Sequence, residues 1–106
     1  MPGLLQNHIA VVTGSGSGIG RAIALGYARE GARLAVLDIN GEAAGKTAAD
    51  IRDAGGKAQH FILDVTDRLA CRAVAAEVAE KVGAVTILVN NAGINRRNAL
   101  PPTPTP

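Results

Sequence analysis

With 106 residues the chain has room for one domain, whose folding removes about two-thirds of the unfolded surface from water. Eleven basic and nine acidic residues are mixed along it and leave a formal charge of +2, with no basic stripe or aromatic platform, which argues against a nucleic-acid partner. Aromatics are 2% of the residues and thirteen residues are glycine, so the core has to come from Ala, Val, Ile and Leu at close approach.

The amino-terminal stretch MPGLLQNH carries neither the basic nor the apolar region of a secretory signal, and no apolar run approaches the roughly 20 residues of a membrane span. A cytoplasmic location and no membrane contact are expected. After His8 comes IAVVT, Ile9 to Thr13, too short for a helix and rich in β-branched residues, which reads as a buried strand. Next is TGSGSGIG, Thr13 to Gly20. Its spacing is not GxGxxG but TGxxxGIG, and it opens the first helical segment, which closes at Gly31.

A second strand follows at RLAVLD, Arg33 to Asp38, and then a weaker helical pattern carried by Ala44, Ala48 and Ile51 and ended by Gly55 and Gly56. AQHFILD, Ala58 to Asp64, reads as a third strand. The third helix is the clearest, with Cys71, Val74, Ala75, Val78 and Val82 on one face and Gly83 at its end. VTILVN, Val85 to Asn90, reads as the fourth strand. From Asn95 the apolar periodicity stops, and four of the last six residues are proline, so 95–106 is expected to be an extended, poorly ordered tail following one domain over 1–94. A docking motif for a proline-reading domain is the competing reading of that tail.

Strands alternating with helices imply parallel pairing. Right-handed crossovers place the first two helices on one face. If the fourth strand pairs beyond the first, the order is 3-2-1-4 and the third helix covers the other face. The expected fold class is therefore α/β, a Rossmann-type doubly wound parallel sheet of four strands and three helices. A crevice opens above the carboxyl ends of strands one and four.

A side-chain-free turn between a first strand and a first helix lets a pyrophosphate reach free N–H groups at the positive end of the helix dipole. Ser15 and Ser17 are expected to offer hydroxyls there. A flexible turn without a ligand is the competing reading, but Asp38 ends the next strand eighteen residues after Gly20, near the spacing of a ribose-binding carboxylate. A carboxylate there accepts ribose hydroxyls and repels a 2′-phosphate, and neither Ser17 nor Ile39 supplies a cation, so NAD is preferred over NADP. Asp38 as a helix cap is the alternative, weakened because Asn40 is better placed. LDIN, Leu37 to Asn40, and LDVT, Leu63 to Thr66, are near copies. Asp64 either faces an adenine or satisfies backbone donors at the start of the third helix.

TGSGSGIG, Asp38, the DV pair Asp64–Val65 and NNAG at Asn90 to Gly93 together resemble the short-chain dehydrogenase/reductase family from about Ile9 to Ile94. The resemblance implies that Gly14, Ser15, Ser17, Gly18, Ile19 and Gly20 line the pyrophosphate and ribose of NAD. It implies that Asp38 holds the adenosine ribose with Ile39 beside it and that Asp64 and Val65 meet the adenine. Asn90, Ala92 and Gly93 would border the cofactor. The family transfers a hydride between NAD(P) and an alcohol or ketone, using a Tyr-x-x-x-Lys pair on a helix, an upstream Ser and an Asn, all beyond the NNAG segment.

None of those four has a counterpart here. Tyr27, the only tyrosine, has Gly31 four residues on, the only serines are Ser15 and Ser17, and the sequence ends thirteen residues after Gly93. No catalytic residue is therefore expected, and Tyr27 and Cys71 read as helix-face and core residues. One cysteine excludes an internal disulfide, no CxxC or HExxH gathers a metal, and His8 and His60 read as strand-end and surface residues. The expectation is the NAD-binding portion of an oxidoreductase, inactive alone. The alternatives are a non-catalytic NAD-binding or partner-binding module and a non-functional remnant. An unpaired edge on the fourth strand is expected to force self-association or to take a partner.

Overall fold

The computed structural model describes residues 3–92, so Gly93 and the proline-rich segment 95–106 lie outside the described residues. Seven elements follow in order: β1 (Ile9–Thr13), α1 (Gly18–Arg29), β2 (Arg33–Asp38), α2 (Gly41–Asp53), β3 (Lys57–Ile62), α3 (Arg68–Lys81) and β4 (Ile87–Asn90). They alternate strictly, and the four strands form one parallel sheet in the order β3-β2-β1-β4. This is the doubly wound order that right-handed crossovers impose.

β1 is paired on both sides, Val12 lying opposite Val36 of β2 and Val89 of β4. Being covered on both faces, the two central strands are apolar almost throughout. The pleat then sorts their side chains. Ala10, Val12, Leu34 and Val36 face α1 and α2, meeting Ala24, Ala44, Ala48 and Ile51. Val11, Ala35, Leu37 and Phe61 face α3, meeting Val74 and Val78. Val12, Leu34 and Val36 are fully buried, each side chain contributing about 1.5–3 kcal/mol by leaving water. The small side chains of Ala24, Ala44 and Ala48 let α1 and α2 lie close to the sheet that carries the loops.

Three strand boundaries differ from the sequence reading. β3 begins at Lys57 rather than Ala58 and ends at Ile62 rather than Asp64. Leu63 is buried and apolar and so extends the strand pattern, but its N–H donates to the carbonyl of Asp38, the last residue of β2, and the ladder closes there. β4 begins at Ile87 rather than Val85, because Thr86 is spent on β1: its N–H and hydroxyl bond around Ile9, and its Oγ1 also meets His8 Nδ1 at 2.9 Å. The α3 stripe is also thinner than its periodicity suggests. Val74 and Val78 are buried, Cys71 and Val82 half-buried, and Ala75 is exposed along an open groove between α3 and β4. Tyr27 packs partly buried against the α1–α2 side of the core. Among the described residues no helix is long and apolar enough to cross a membrane.

Candidate functional site

The loops after β1, β2, β3 and β4 all open at the carboxyl edge of the sheet, where they enclose a cleft of about 380 Å³. Gly14, Ser17, Asp38, Ile39, Asp64, Val65 and Ala92 line it, with Leu63 and Thr66. Strand order reverses at this edge, the place where open α/β sheets hold ligands.

The turn after β1 is tight because side chains are missing where backbones meet. Gly14 takes φ 64°, and a Cβ at Gly20 would stand 2.1 Å from the Gly14 carbonyl oxygen. The first turn of α1 is thereby drawn under the loop. Ser17, Gly18 and Ile19 lie exposed at its head, and Gly20 is buried behind them. The three helices differ at their amino ends. Asn40 Oδ1 caps α2 by accepting from Ala43 N, and Asp67 Oδ1 caps α3 by accepting from Ala70 N, each at 3.0 Å. On α1 the Ser17 side chain makes no capping bond, and the first turn holds no acidic residue. The first N–H groups of a helix have no intrahelical acceptor, and on α1 the Ser17 side chain does not supply one.

Ser15 departs from its expected part. Its side chain is completely buried, with Oγ donating to the Val12 carbonyl at 2.6 Å and accepting from Leu37 N at 3.1 Å. The hydroxyl thus ties the ends of β1 and β2 together and does not face the cleft. The Ser15 N–H also donates to the Leu37 carbonyl at 3.1 Å, so backbone and side chain together hold the residue against β2.

Asp38 ends β2 with its carboxylate at the cleft. Oδ2 accepts from the Gly16 N–H at 2.8 Å and Oδ1 from the Asn40 N–H at 3.0 Å. It therefore holds the glycine turn and the entry to α2 at once, while Asn40 does the capping. Asp64 repeats the local turn after β3: Oδ1 accepts from both the N–H and the hydroxyl of Thr66, at 2.9 and 2.6 Å. Asp64 also lines the cleft, whereas the cap of α3 is Asp67 and not Asp64.

Asn90 lies at the exposed end of β4, where Oδ1 faces the Thr13 hydroxyl at 3.2 Å. Thr13 Oγ1 also accepts from Ala92 N at 3.1 Å, so the β1 terminus sets the backbone of Ala92 against the cleft. Three contributors escaped the sequence reading. Asn91 is buried and donates from Nδ2 to the Gly14 carbonyl at 3.2 Å, bracing the turn from below. Thr13 positions Ala92, and Gly16 meets Asp38. The NNAG doublet and the alternate glycines contained the first and third, but only a folded chain shows which way each points. Farther along α1, the Arg21 guanidinium beside Asp50 holds that carboxyl below its ordinary value, and Lys46 adds to the effect. Among the described residues no His, Cys, Asp and Glu side chains gather in a set that would hold a metal ion.

The sequence profile of the family described as short chain dehydrogenase matches residues 8–104. Sorbitol dehydrogenase of Cereibacter sphaeroides is 49% identical over 90 residues, 85% of this chain and 34% of that protein. D-threitol dehydrogenase of Mycolicibacterium smegmatis is 45% identical over 92 residues, 87% of this chain and 35% of that protein. A 7α-hydroxysteroid dehydrogenase solved with NADH and 7-oxo glycochenodeoxycholic acid superimposes with a TM-score of 0.80 at 40% identity, covering 81% of this chain and 34% of that one. The hydroxysteroid dehydrogenase of Escherichia coli gives a TM-score of 0.79 at 40% identity, over 81% of this chain and 37% of that one. The chain spans about a third of the length of these proteins.

Proposed function

Because the chain belongs to the short-chain dehydrogenase family, we propose that residues 1–94 form a binding unit for a nicotinamide dinucleotide, with NAD preferred over NADP. The observation that carries the reading is the meeting, in one cleft, of the uncapped head of α1 and the Asp38 carboxylate. The pyrophosphate lies against the N–H groups of Gly18, Ile19 and Gly20 and the hydroxyl of Ser17, where the helix dipole favours negative charge. Asp38 accepts the ribose hydroxyls, Ile39 and Val65 flank the adenine, and Asp64 lies at its edge. Asn90 and Ala92 border the rest of the cofactor.

A 2′-phosphate would approach the Asp38 carboxylate with no cation at Ser17 or Ile39 to offset the repulsion. The bound cofactor supplies the hydride chemistry. The chain's own residues hold it and exclude water from the buried side of the turn, but none is a proton donor for a carbonyl: the 106 residues contain no Tyr-x-x-x-Lys pair. The unit is thus the cofactor-holding part of an oxidoreductase for alcohols or ketones and turns over no substrate by itself. We place the unit in the cytoplasm.

The same reading includes self-association. β4 is an edge of the sheet among the described residues, Leu88 is 68% exposed on it, and the adjoining groove is lined by Val11, Val74, Ala75 and Val85. Two copies related by a two-fold axis would place identical edges together. Calorimetric titration of the 106-residue chain tests the main proposal. NAD and ADP-ribose should bind with similar affinity, and NADP at least about tenfold more weakly. Folded protein that ignores NAD at millimolar concentration would end it.

A further inference from the structure

The pattern TGxxxGIG leaves position 16 open, yet the structure has no space there. A Cβ on Gly16 would lie 2.8 Å from both the Ala43 Cβ and Asp38 Oδ2, and 3.1 Å from the Ala44 nitrogen. Both backbone polar groups of Gly16 are also engaged. Its N–H donates to Asp38, and its carbonyl faces Oγ1 of Thr47 at 3.4 Å. Thr47 is a completely buried polar residue in the middle of α2.

A hydroxyl can rotate its proton, so its direction depends on its other neighbour. Here that neighbour is Arg21, whose Nη1 lies 3.0 Å from Thr47 Oγ1. A guanidinium only donates, so Thr47 must accept from Arg21 and send its own proton to Gly16. Arg21 is in turn held by Asp50, to which its Nη2 donates. The relay therefore runs from Asp50 through Arg21 and Thr47 to the Gly16 carbonyl.

That carbonyl belongs to the same planar peptide as the Ser17 N–H, which a trans bond places on the opposite edge. Fixing one edge fixes the other. We propose that Thr47, its proton directed by Arg21, is a positioning residue that aims the Ser17 N–H at a pyrophosphate oxygen of the bound dinucleotide. The inference rests on the dinucleotide reading and adds to it a residue on α2 that lies outside the cleft lining.

Replacing Thr47 with Val keeps the shape and removes the hydroxyl. Thr47→Val should weaken NAD and ADP-ribose about tenfold, leave adenosine, which has no phosphate, within about twofold, and shrink the NAD-induced shift of the Ser17 amide resonance. Thr47→Ser should restore all three. Should Thr47→Val fail to fold, Arg21→Met is expected to give the same phosphate-selective loss, while Lys46→Ala, which touches Asp50 only from the solvent side, should not. Equal losses for adenosine and NAD, or NAD binding by Thr47→Val within about twofold of wild type, overturn the positioning role and leave the dinucleotide reading standing. Wild-type protein that binds no NAD removes that reading and this inference with it.

Discussion

Replacing either of two glycines in α1 with alanine is the same chemical change in the same helix, and the structure predicts opposite results. At Gly20 the new Cβ would stand 2.1 Å from the Gly14 oxygen, 2.8 Å from its carbon and 2.5 Å from Asn91 Nδ2. Carbon contacts settle at about 3.5–4.0 Å, so the intrusion exceeds an ångström, and the nearest atom is a main-chain oxygen that no rotamer can move. Overpacking of this kind costs about 1–3 kcal/mol, and the upper part of that range applies because relief requires the turn to lift off α1. Alanine's better helix propensity returns at most about 1 kcal/mol. At Gly26 the nearest atom is the tip of Arg29, 3.9 Å away, so the propensity gain stands alone. Gly20→Ala should therefore destabilise by about 1–2 kcal/mol and Gly26→Ala stabilise by about 0.5–1 kcal/mol. Urea unfolding followed by circular dichroism reads both, and each kcal/mol moves Tm by about 4–8 °C in a chain of this size. Changes of the same sign would refute the close approach on which the turn depends.

Three further outcomes follow from the site. Asp38→Asn should weaken NAD about tenfold and narrow its advantage over NADP, since the charged acceptor for ribose and the repulsion of a 2′-phosphate disappear together; calorimetry with both ligands measures the ratio. Ser15→Ala should lower stability by about 1–3 kcal/mol through the orphaned Leu37 N–H and Val12 carbonyl. NAD affinity of its folded form should stay within about twofold, so lost affinity at unchanged stability would show a hydroxyl facing the ligand. Asp50, held below its ordinary value of 3.8 by Arg21, contributes stability above that pH and loses it as the pH falls through the lowered folded-state value. Stability should therefore fall less steeply below about pH 4 in Asp50→Asn than in wild type, as urea midpoints across an acid series would show. Parallel acid limbs would refute the pairing.

The central strands were legible because burial on both faces writes itself as an unbroken apolar run: Ile9–Thr13 and Arg33–Asp38 stand where the residues suggested. The order 3-2-1-4 was legible because handedness leaves few alternatives once strands and helices alternate. What escaped was direction. Leu63 is as apolar as a strand residue but lies just past the last strand pair, Asp38 with Ile62, and Thr86 looks like part of β4 but is spent on Ile9. Ser15 and Ser17 are indistinguishable as letters, yet one is sealed between two strands and the other lies exposed at the head of α1. Asn91 and Thr47 act through single hydrogen bonds to loop carbonyls across separations of 77 and 31 residues, which no local spacing encodes.

The account rests on the carboxyl-edge cleft being the dinucleotide site, and the amide spectrum of the chain titrated with NAD tests that most directly. Resonances of Gly14, Ser17 to Gly20, Asp38, Asp64 and Ala92 should move together along one saturating curve. A spectrum unchanged at millimolar NAD, or shifts centred on Arg33 and Lys57 at the opposite edge of the sheet, would contradict it.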